Sequence, residues 1–174
     1  MSIKINLNIF LLLILFLLTS QLEIYALVML FALIHELGHL MCGVLLGFEA
    51  ESLRIMPLGF VVEFKTNIND YNKKILKSNT LILKKLLINI AGPMTNLMII
   101  LIGKLINVSE SIIYSNLIIL IINLIPIYPL DGGRIIKNLM KLLVGNKKAK
   151  DYMNKISNIF VIAITFPPTS ICAI

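Results

Sequence analysis

The chain has 174 residues, of which 58% are hydrophobic and only 14% charged, and its mean hydropathy is +0.93. Charged residues make up about a quarter of a typical soluble domain, so this composition excludes an ordinary soluble protein. The net charge of +7 does not indicate a nucleic-acid partner, because the basic residues lie between long apolar runs. We interpret it as a signal of membrane topology.

Five apolar runs are candidate transmembrane helices, because about 20 apolar residues cross the hydrocarbon layer. No small-residue cleavage site follows the first run, which favours a span over a signal peptide. The sequence predicts an all-α integral membrane protein, a bundle of about four to five transmembrane helices that forms one membrane-embedded domain over residues 1–174. The predicted spans are residues 5–22, 24–48, 86–103, 111–130 and 156–174.

The basic residues are distributed unequally about these runs. If each run spans once, fifteen Lys and Arg residues fall on the side of the N-terminus and only Lys104 falls on the other. Loops rich in Lys and Arg stay in the cytoplasm. We therefore expect the N-terminus and the two polar stretches, residues 49–85 and 131–155, to be cytoplasmic.

Residues 52–64 predict a short β-hairpin between the second and third spans. Two runs of strand-forming residues flank a Pro57–Gly59 turn, which is the pattern of two strands around a tight connection. An exposed strand edge can bind an extended peptide. The alternative is a hairpin that faces solvent and contacts no substrate.

The second run contains ionisable residues, which are costly in a span and indicate function. His35 and His39 are four residues apart and therefore share one helical face, while Glu36 lies about 100° round the helix. Two imidazoles can bind a tetrahedral zinc, and Glu36 can act as a general base on a water that the metal activates. The alternative is two histidines bonded to neighbouring helices with Glu36 as their counter-ion. Cys42 is more simply a small buried hydrophobe.

A third protein ligand is expected from another span, and Asp131 is the candidate. It closes the fourth run, where Pro126 and Pro129 should break the helix and the glycines at 132 and 133 allow tight backbone geometry. Since the two histidines lie deep in the second run, Asp131 matches them only if the broken segment carries it inward or if the site is reached from a cytoplasmic cavity, and we expect both. The alternative is an ordinary interfacial acid at the end of a helix.

These residues resemble the motifs of the site-2 protease family of intramembrane zinc metalloproteases. The similarity covers residues 24–134, and within the family it is strongest to the sporulation branch. It implies a zinc metalloendopeptidase that hydrolyses a peptide bond of a membrane-associated protein at a cytoplasm-facing site. It also implies that Asn123 positions the substrate or polarises its carbonyl, unless Asn123 only bonds a neighbouring helix. The matching segments are His35–His39, Asn89–Asn96 and Asn123–Gly133.

For the sporulation branch the implied substrate is an inactive sigma-factor precursor, the implied partners are inhibitory membrane proteins, and the location is the membrane around the forespore. Members of this branch usually carry another span and a cytoplasmic nucleotide-sensing domain. This sequence shows neither, so we expect the C-terminal regulatory domain to be absent and do not carry nucleotide regulation over.

Two other functions compete with proteolysis. A metal transporter should carry acidic residues or histidines along several spans, whereas here the inner spans other than the second and fourth have none. An inactive relative that only binds metal has no need of Glu36. A scaffold that uses the metal as a structural staple needs a closed site with a fourth ligand, such as Cys42 or another acid.

Overall fold

The structure is a computed structural model that describes residues 2–57, 59–65 and 75–165. Over these residues the chain forms six helices and a three-stranded sheet that contacts α1 and α2. In chain order the elements are β1 (Ser2–Ile5), α1 (Asn8–Leu18), α2 (Leu22–Leu45), β2 (Ala50–Met56), β3 (Gly59–Phe64), α3 (Ile75–Leu105), α4 (Glu110–Leu124), α5 (Asp131–Val144) and α6 (Asn146–Thr165).

Two of the described helices are long and apolar enough to cross a bilayer, by length and composition: α2, and residues 79–105 of α3. Helices α1 and α4 are apolar but shorter. Large aliphatic side chains point outward from all four, for example Leu45 at 79% and Leu105 at 81% exposure. An exposed apolar surface of this extent is suited to lipid and not to water. The predicted number of spans stays a prediction.

The helices observed at the first and fourth predicted spans are shorter than the predicted spans. Helix α1 has 11 residues because the chain turns at Ser20, which has a positive φ of 57°. Helix α4 ends at Leu124, not at residue 130, because Pro126 lacks an amide donor and forces the residue before it into an extended conformation. An apolar run measured from sequence includes such turns when their residues are themselves apolar.

The predicted hairpin is present, but the sheet has a third strand. Strands β2 and β3 pair antiparallel, from Ala50 opposite Phe64 to Met56 opposite Gly59, and Leu58 of the turn lies outside the described residues. Strand β1 pairs parallel with β2, across the connection made by α1 and α2. The prediction of an all-α fold with only a hairpin was therefore wrong in this detail. Polar and apolar residues alternate over Ser2–Ile5, which is the pattern of a strand, but the prediction did not use this short segment at the start of the chain.

The predicted polar stretch 131–155 is helical. It forms α5 and the first half of α6, and the predicted fifth span continues α6 as far as Thr165, while residues 166–174 lie outside the described part of the chain. Ala149 and Met153, one turn apart on α6, are buried at 0% and 1% exposure. Helix α6 thus packs against α5, and this packing supports the helix that begins with Asp131.

Helices α2, α3 and α4 pack around the buried residues Phe31, Ala32 and Ile119. Gly38 allows the close approach of α2 to α3, because a Cβ at this position would overlap the hydroxyl of Thr95. Asn96 and Asn116 are completely buried where α3 meets α4, and the Asn96 amide donates to the Asn116 carbonyl oxygen over 3.5 Å. The face of α2 that carries the histidines therefore lies against α3.

We expect Met153→Ala to destabilise the packing of α5 on α6 by about 2 kcal/mol or more, the usual effect of deleting a large buried side chain. Thermal unfolding of the purified protein in detergent measures this change. Ile159→Ala on the same helix is the control, because Ile159 is 64% exposed. Equal melting temperatures for the two variants would contradict the packing described here.

Candidate metal centre

Helix α2 presents His35 and His39 on one face, one turn apart. Both side chains are buried, at 3% and 4% exposure, and their Nε2 atoms are 3.2 Å apart. The spacing of four residues brings the two rings to the same side of the helix. Both Nε2 atoms therefore point into one small volume between α2 and its neighbours.

Asp131 reaches the same volume from the first position of α5. Its Oδ2 atom lies 2.9 Å from Nε2 of His35 and 3.0 Å from Nε2 of His39. Residues 125–130 are not helical and carry the chain back toward α2 after α4 has ended. The aspartate is therefore carried inward, as the depth of the two histidines requires.

Gly132 and Gly133 make this return possible. A Cβ at Gly132 would overlap the backbone of Leu124, and one at Gly133 would overlap the backbone of Ile127. Backbone atoms cannot move aside as the end of a flexible side chain can. The start of α5 can therefore pack against residues 124–128, with Asp131 beside the histidines, only if both positions are glycine.

The tautomer of His39 follows from its contact with α3. Its Nδ1 lies 2.6 Å from the carbonyl oxygen of Ile88, so Nδ1 carries a proton and donates it. The amide of Gly92 is 3.3 Å from the same nitrogen, but an Nδ1 that donates cannot also accept. In the neutral ring Nε2 then has a lone pair. A backbone carbonyl that orients a histidine in this way is common in metal sites.

The separations of the three ligand atoms are within about 0.4 Å of those in a tetrahedral zinc site. In a tetrahedral site with bonds of about 2.0–2.1 Å, neighbouring ligand atoms are about 3.3 Å apart, and here the three separations are 2.9, 3.0 and 3.2 Å. A lone pair of His39 facing a carboxylate oxygen is repulsive unless a cation lies between them. The alternative without metal is a protonated His39 that donates to both Ile88 and Asp131.

Gly92 of α3 leaves space beside this triangle. A Cβ at that position would overlap Nε2 of His39 and lie 2.6 Å from Nε2 of His35. Among the described residues, Nδ1 of His35 is a buried nitrogen without a hydrogen-bond partner. His35, His39 and Asp131 together form the group of possible ligands in the described part of the chain, and they fit a zinc ion.

Glu36 lies between the histidines and an open cavity. Its carboxylate accepts a hydrogen bond from the amide of Val62 on β3 over 3.3 Å. Glu36 and His39 both line a cavity of about 470 Å³, which α2, β3, α3 and α5 enclose. A molecule in this cavity can therefore contact the carboxylate and one of the histidines.

Asn123 lies in the last turn of α4, and its amide donates to the carbonyl of Ile119 in the same helix over 3.0 Å. Like His35 and Asp131, it is not among the residues that line the cavity. Its predicted role stays a prediction. Among the described residues, Cys42 is a free cysteine that does not belong to the group of possible metal ligands.

Sequence reasoning missed the contributions of α3 and β3. The carbonyl of Ile88, the space at Gly92 and the amide of Val62 all act through the backbone, which leaves no pattern in side-chain chemistry. The segment Asn89–Asn96 was used only as a family motif. Its glycine is the signal that could have indicated a close approach.

Comparison with known proteins agrees with this geometry. The sequence model of Peptidase family M50 matches residues 23–109 and 101–166 of the chain. The chain belongs to Peptidase family M50. The resemblance to site-2 proteases that the motifs indicated is thereby confirmed.

Two known proteins are similar to this M50 chain. Stage IV sporulation protein FB of Bacillus subtilis (strain 168) is 28% identical over 128 residues, which are 69% of this chain and 41% of that protein. The chain thus matches less than half the length of this relative. The solved structure of the site-2 protease from Methanocaldococcus jannaschii superposes with a TM-score of 0.69 at 22% identity, covering 94% of this chain and 79% of that one, so the two share a fold.

We expect Gly92→Ala to lower the affinity for zinc by about tenfold or more, because the new methyl group occupies the space beside both Nε2 atoms. Changes next to metal ligands typically cost 10–100-fold in affinity. Zinc titration with a competing chelator measures the effect. Gly103→Ala in the same helix is the control, since a Cβ there meets only a side chain of Val108 and more distant atoms. Equal affinities in both variants would contradict the proposed position of the metal.

Proposed function

We propose that the chain is an intramembrane zinc metalloendopeptidase that hydrolyses a peptide bond of a membrane-associated protein. The observation that carries the proposal is the meeting of three ligand atoms from α2 and α5 beside a cavity that Glu36 and His39 line. Membership of Peptidase family M50 supports the reaction type. The exposed apolar side chains of α1 to α4 support the membrane location.

In this proposal His35, His39 and Asp131 hold the zinc. When bound, zinc supplies a Lewis acid that lowers the pKa of water to about 7 and polarises a carbonyl oxygen. The Nδ1–H group of His39 donates a hydrogen bond to the Ile88 carbonyl, which keeps Nε2 available as a ligand. The burial of all three side chains excludes bulk water and strengthens the electrostatic interactions among them.

Glu36 is proposed to transfer the protons. Its carboxylate takes a proton from a water molecule in the cavity and later delivers it to the amine of the leaving peptide, the two tasks of one general acid–base group. The amide of Val62 holds one carboxylate oxygen and so limits the rotation of the side chain. The cavity is large enough to admit both water and a segment of extended chain.

Strand β3 is proposed to bind the substrate backbone. One edge of β3 pairs with β2, and the amide of Val62 points from the other edge to Glu36. A peptide that adds to this free edge has an extended backbone, as hydrolysis requires, and passes directly by the carboxylate. The hairpin would then have a role in substrate binding and not only on the solvent side.

The finer identity of the substrate rests on the likeness to stage IV sporulation protein FB and on motifs. We infer a sigma-factor precursor as substrate, inhibitory membrane proteins as partners and the membrane around the forespore as the location. The distribution of Lys and Arg supports an N-terminus and an active site that face the cytoplasm.

A structural metal staple fits these contacts less well. Such a site needs four protein ligands, and in the described part of the chain the group of possible ligands has three members. A position left for water or substrate is what distinguishes a catalytic site from a closed one.

The decisive variant is Glu36→Gln. We expect it to lower kcat by about 10²–10⁴-fold, the usual contribution of a general acid–base group, while zinc content stays that of the wild type. Asp131→Ala should lose both zinc and activity. Cleavage is measured in proteoliposomes that contain a candidate sigma-factor precursor or a membrane-anchored peptide library, with and without a zinc chelator. Wild-type turnover by Glu36→Gln would show that the proton-transfer role is wrong.

A further inference from the structure

Basic side chains line the wall of the cavity that lies opposite β3. They come from the N-terminal half of α3 and from one face of α5, namely Lys84, Lys85, Arg134, Lys137 and Lys141, and Lys65 lies at the end of β3. The acidic residues that line the same cavity are Glu36 and Glu49. A molecule that reaches Glu36 through this cavity therefore passes a strongly positive surface.

Three of these cations already have partners. Lys65 forms an ion pair with Glu49 over 2.8 Å, Lys84 donates to the carbonyl of Leu46 over 2.8 Å, and Arg134 lies 3.9 Å from the Oδ1 atom of Asp131. These contacts position the side chains and neutralise part of their charge. The positive charges of the other three lysines are not compensated in this way.

Lys85, Lys137 and Lys141 form no ion pair with a carboxylate among the residues that the structure describes. The ammonium of Lys137 lies over the ring of Tyr128, 4.1 Å from its centre. Burial first, and then the charges of Lys137 and Lys85, hold the pKa of Lys141 below its usual value. All three lysines line the same cavity, so an anion placed there would be attracted by three positive charges.

The position of the wall suggests which anion binds. Val62 and Phe64 of β3 line the cavity together with the three lysines, so the free edge of β3 and the cations enclose the same space. A peptide that pairs with β3 has alternate side chains on either side of its backbone. Side chains directed toward α5 would meet the lysines.

We propose that Lys85, Lys137 and Lys141 select a substrate segment that carries Asp or Glu side chains close to the scissile bond. The inference rests on the proposed peptidase function, and it adds the chemical class of the substrate segment. A lipid phosphate is the competing anion, because basic residues beside a membrane also attract anionic headgroups. The lysines favour a peptide because they line the cavity that contains Glu36 and His39.

The test compares two synthetic peptides on the same protein. Both are fluorescent, end-blocked, extended sequences of Val and Thr, and they differ only in that four positions are Glu in one and Gln in the other. Binding to the Glu36→Gln protein in zwitterionic nanodiscs is measured by fluorescence anisotropy, so that hydrolysis does not interfere. We expect the Glu peptide to bind about tenfold more tightly, which is the effect of one or two partly exposed ion pairs, and to lose this preference in about 0.5 M salt.

Two further double variants, made in the Glu36→Gln background, test whether the preference for the Glu peptide depends on the lysines of the cavity. Lys137→Gln with Lys141→Gln should bring the ratio of the two affinities close to one. Lys148→Gln with Lys150→Gln removes the same charge from exposed positions of α6 outside the cavity, and should leave the ratio unchanged. Because each protein is tested with both peptides, a loss of folded protein lowers both affinities and does not imitate a loss of preference.

Equal binding of the two peptides, or a preference that survives in the Lys137 and Lys141 variant, would overturn the proposal. A second result would also overturn it: these lysines bind phosphatidylglycerol when the nanodiscs contain this lipid, and the protein shows no preference between the peptides. That result would identify a lipid site. Hydrolysis by the wild type is measured separately. Selective binding without hydrolysis would contradict the peptidase function alone, whereas hydrolysis without selectivity would contradict only the acidic substrate.

Discussion

The contact between the Asp131 carboxylate and the two imidazoles of α2 is the constraint on which the rest of the structure depends. Three polar groups with less than 5% exposure are costly in an apolar environment unless each has a partner. A divalent cation compensates all three at once, and the hydrogen bond from His39 to the Ile88 carbonyl holds one ligand in the tautomer that binds metal. Glu36, the cavity and the edge of β3 can act together in one reaction only if such a metal centre lies beside them.

Glycines determine how closely the elements around this centre can pack. Gly38 brings α2 onto α3, Gly92 leaves space next to the imidazoles, and Gly132 with Gly133 lets α5 begin against the end of α4. Gly38 and Gly92 serve the contact of α2 with α3, and Gly132 and Gly133 serve the contact of α5 with residues 124–128. The geometry of the site therefore depends on these glycines as well as on the ligands. Activity should be sensitive to substitution of these glycines by alanine, which changes no charge.

Local patterns predicted the parts of the site that depend on one element. The interval between His35 and His39 gives a shared helical face directly, and the prolines before Asp131 indicate a break that sets it apart from the other acids. Strand β1 and helix α5 also have local patterns, namely the alternation of Ser2–Ile5 and the helical spacing of Ile135, Leu139 and Leu143. The elements that they pair with or pack against could not be predicted, because these lie far away in the sequence. The positive wall was interpreted only as a topology signal, since no sequence pattern shows that α3 and α5 face one cavity. Asn123 was included through family resemblance alone, and its role stays a prediction.

X-ray absorption at the zinc edge, on the purified chain in lipid nanodiscs, tests the central claim most directly. The account predicts one bound zinc with nitrogen and oxygen ligands at about 2.0–2.2 Å, and a changed or lost spectrum in Asp131→Ala. A protein that binds no zinc, a sulfur ligand at about 2.3 Å, or an identical spectrum in Asp131→Ala would contradict it.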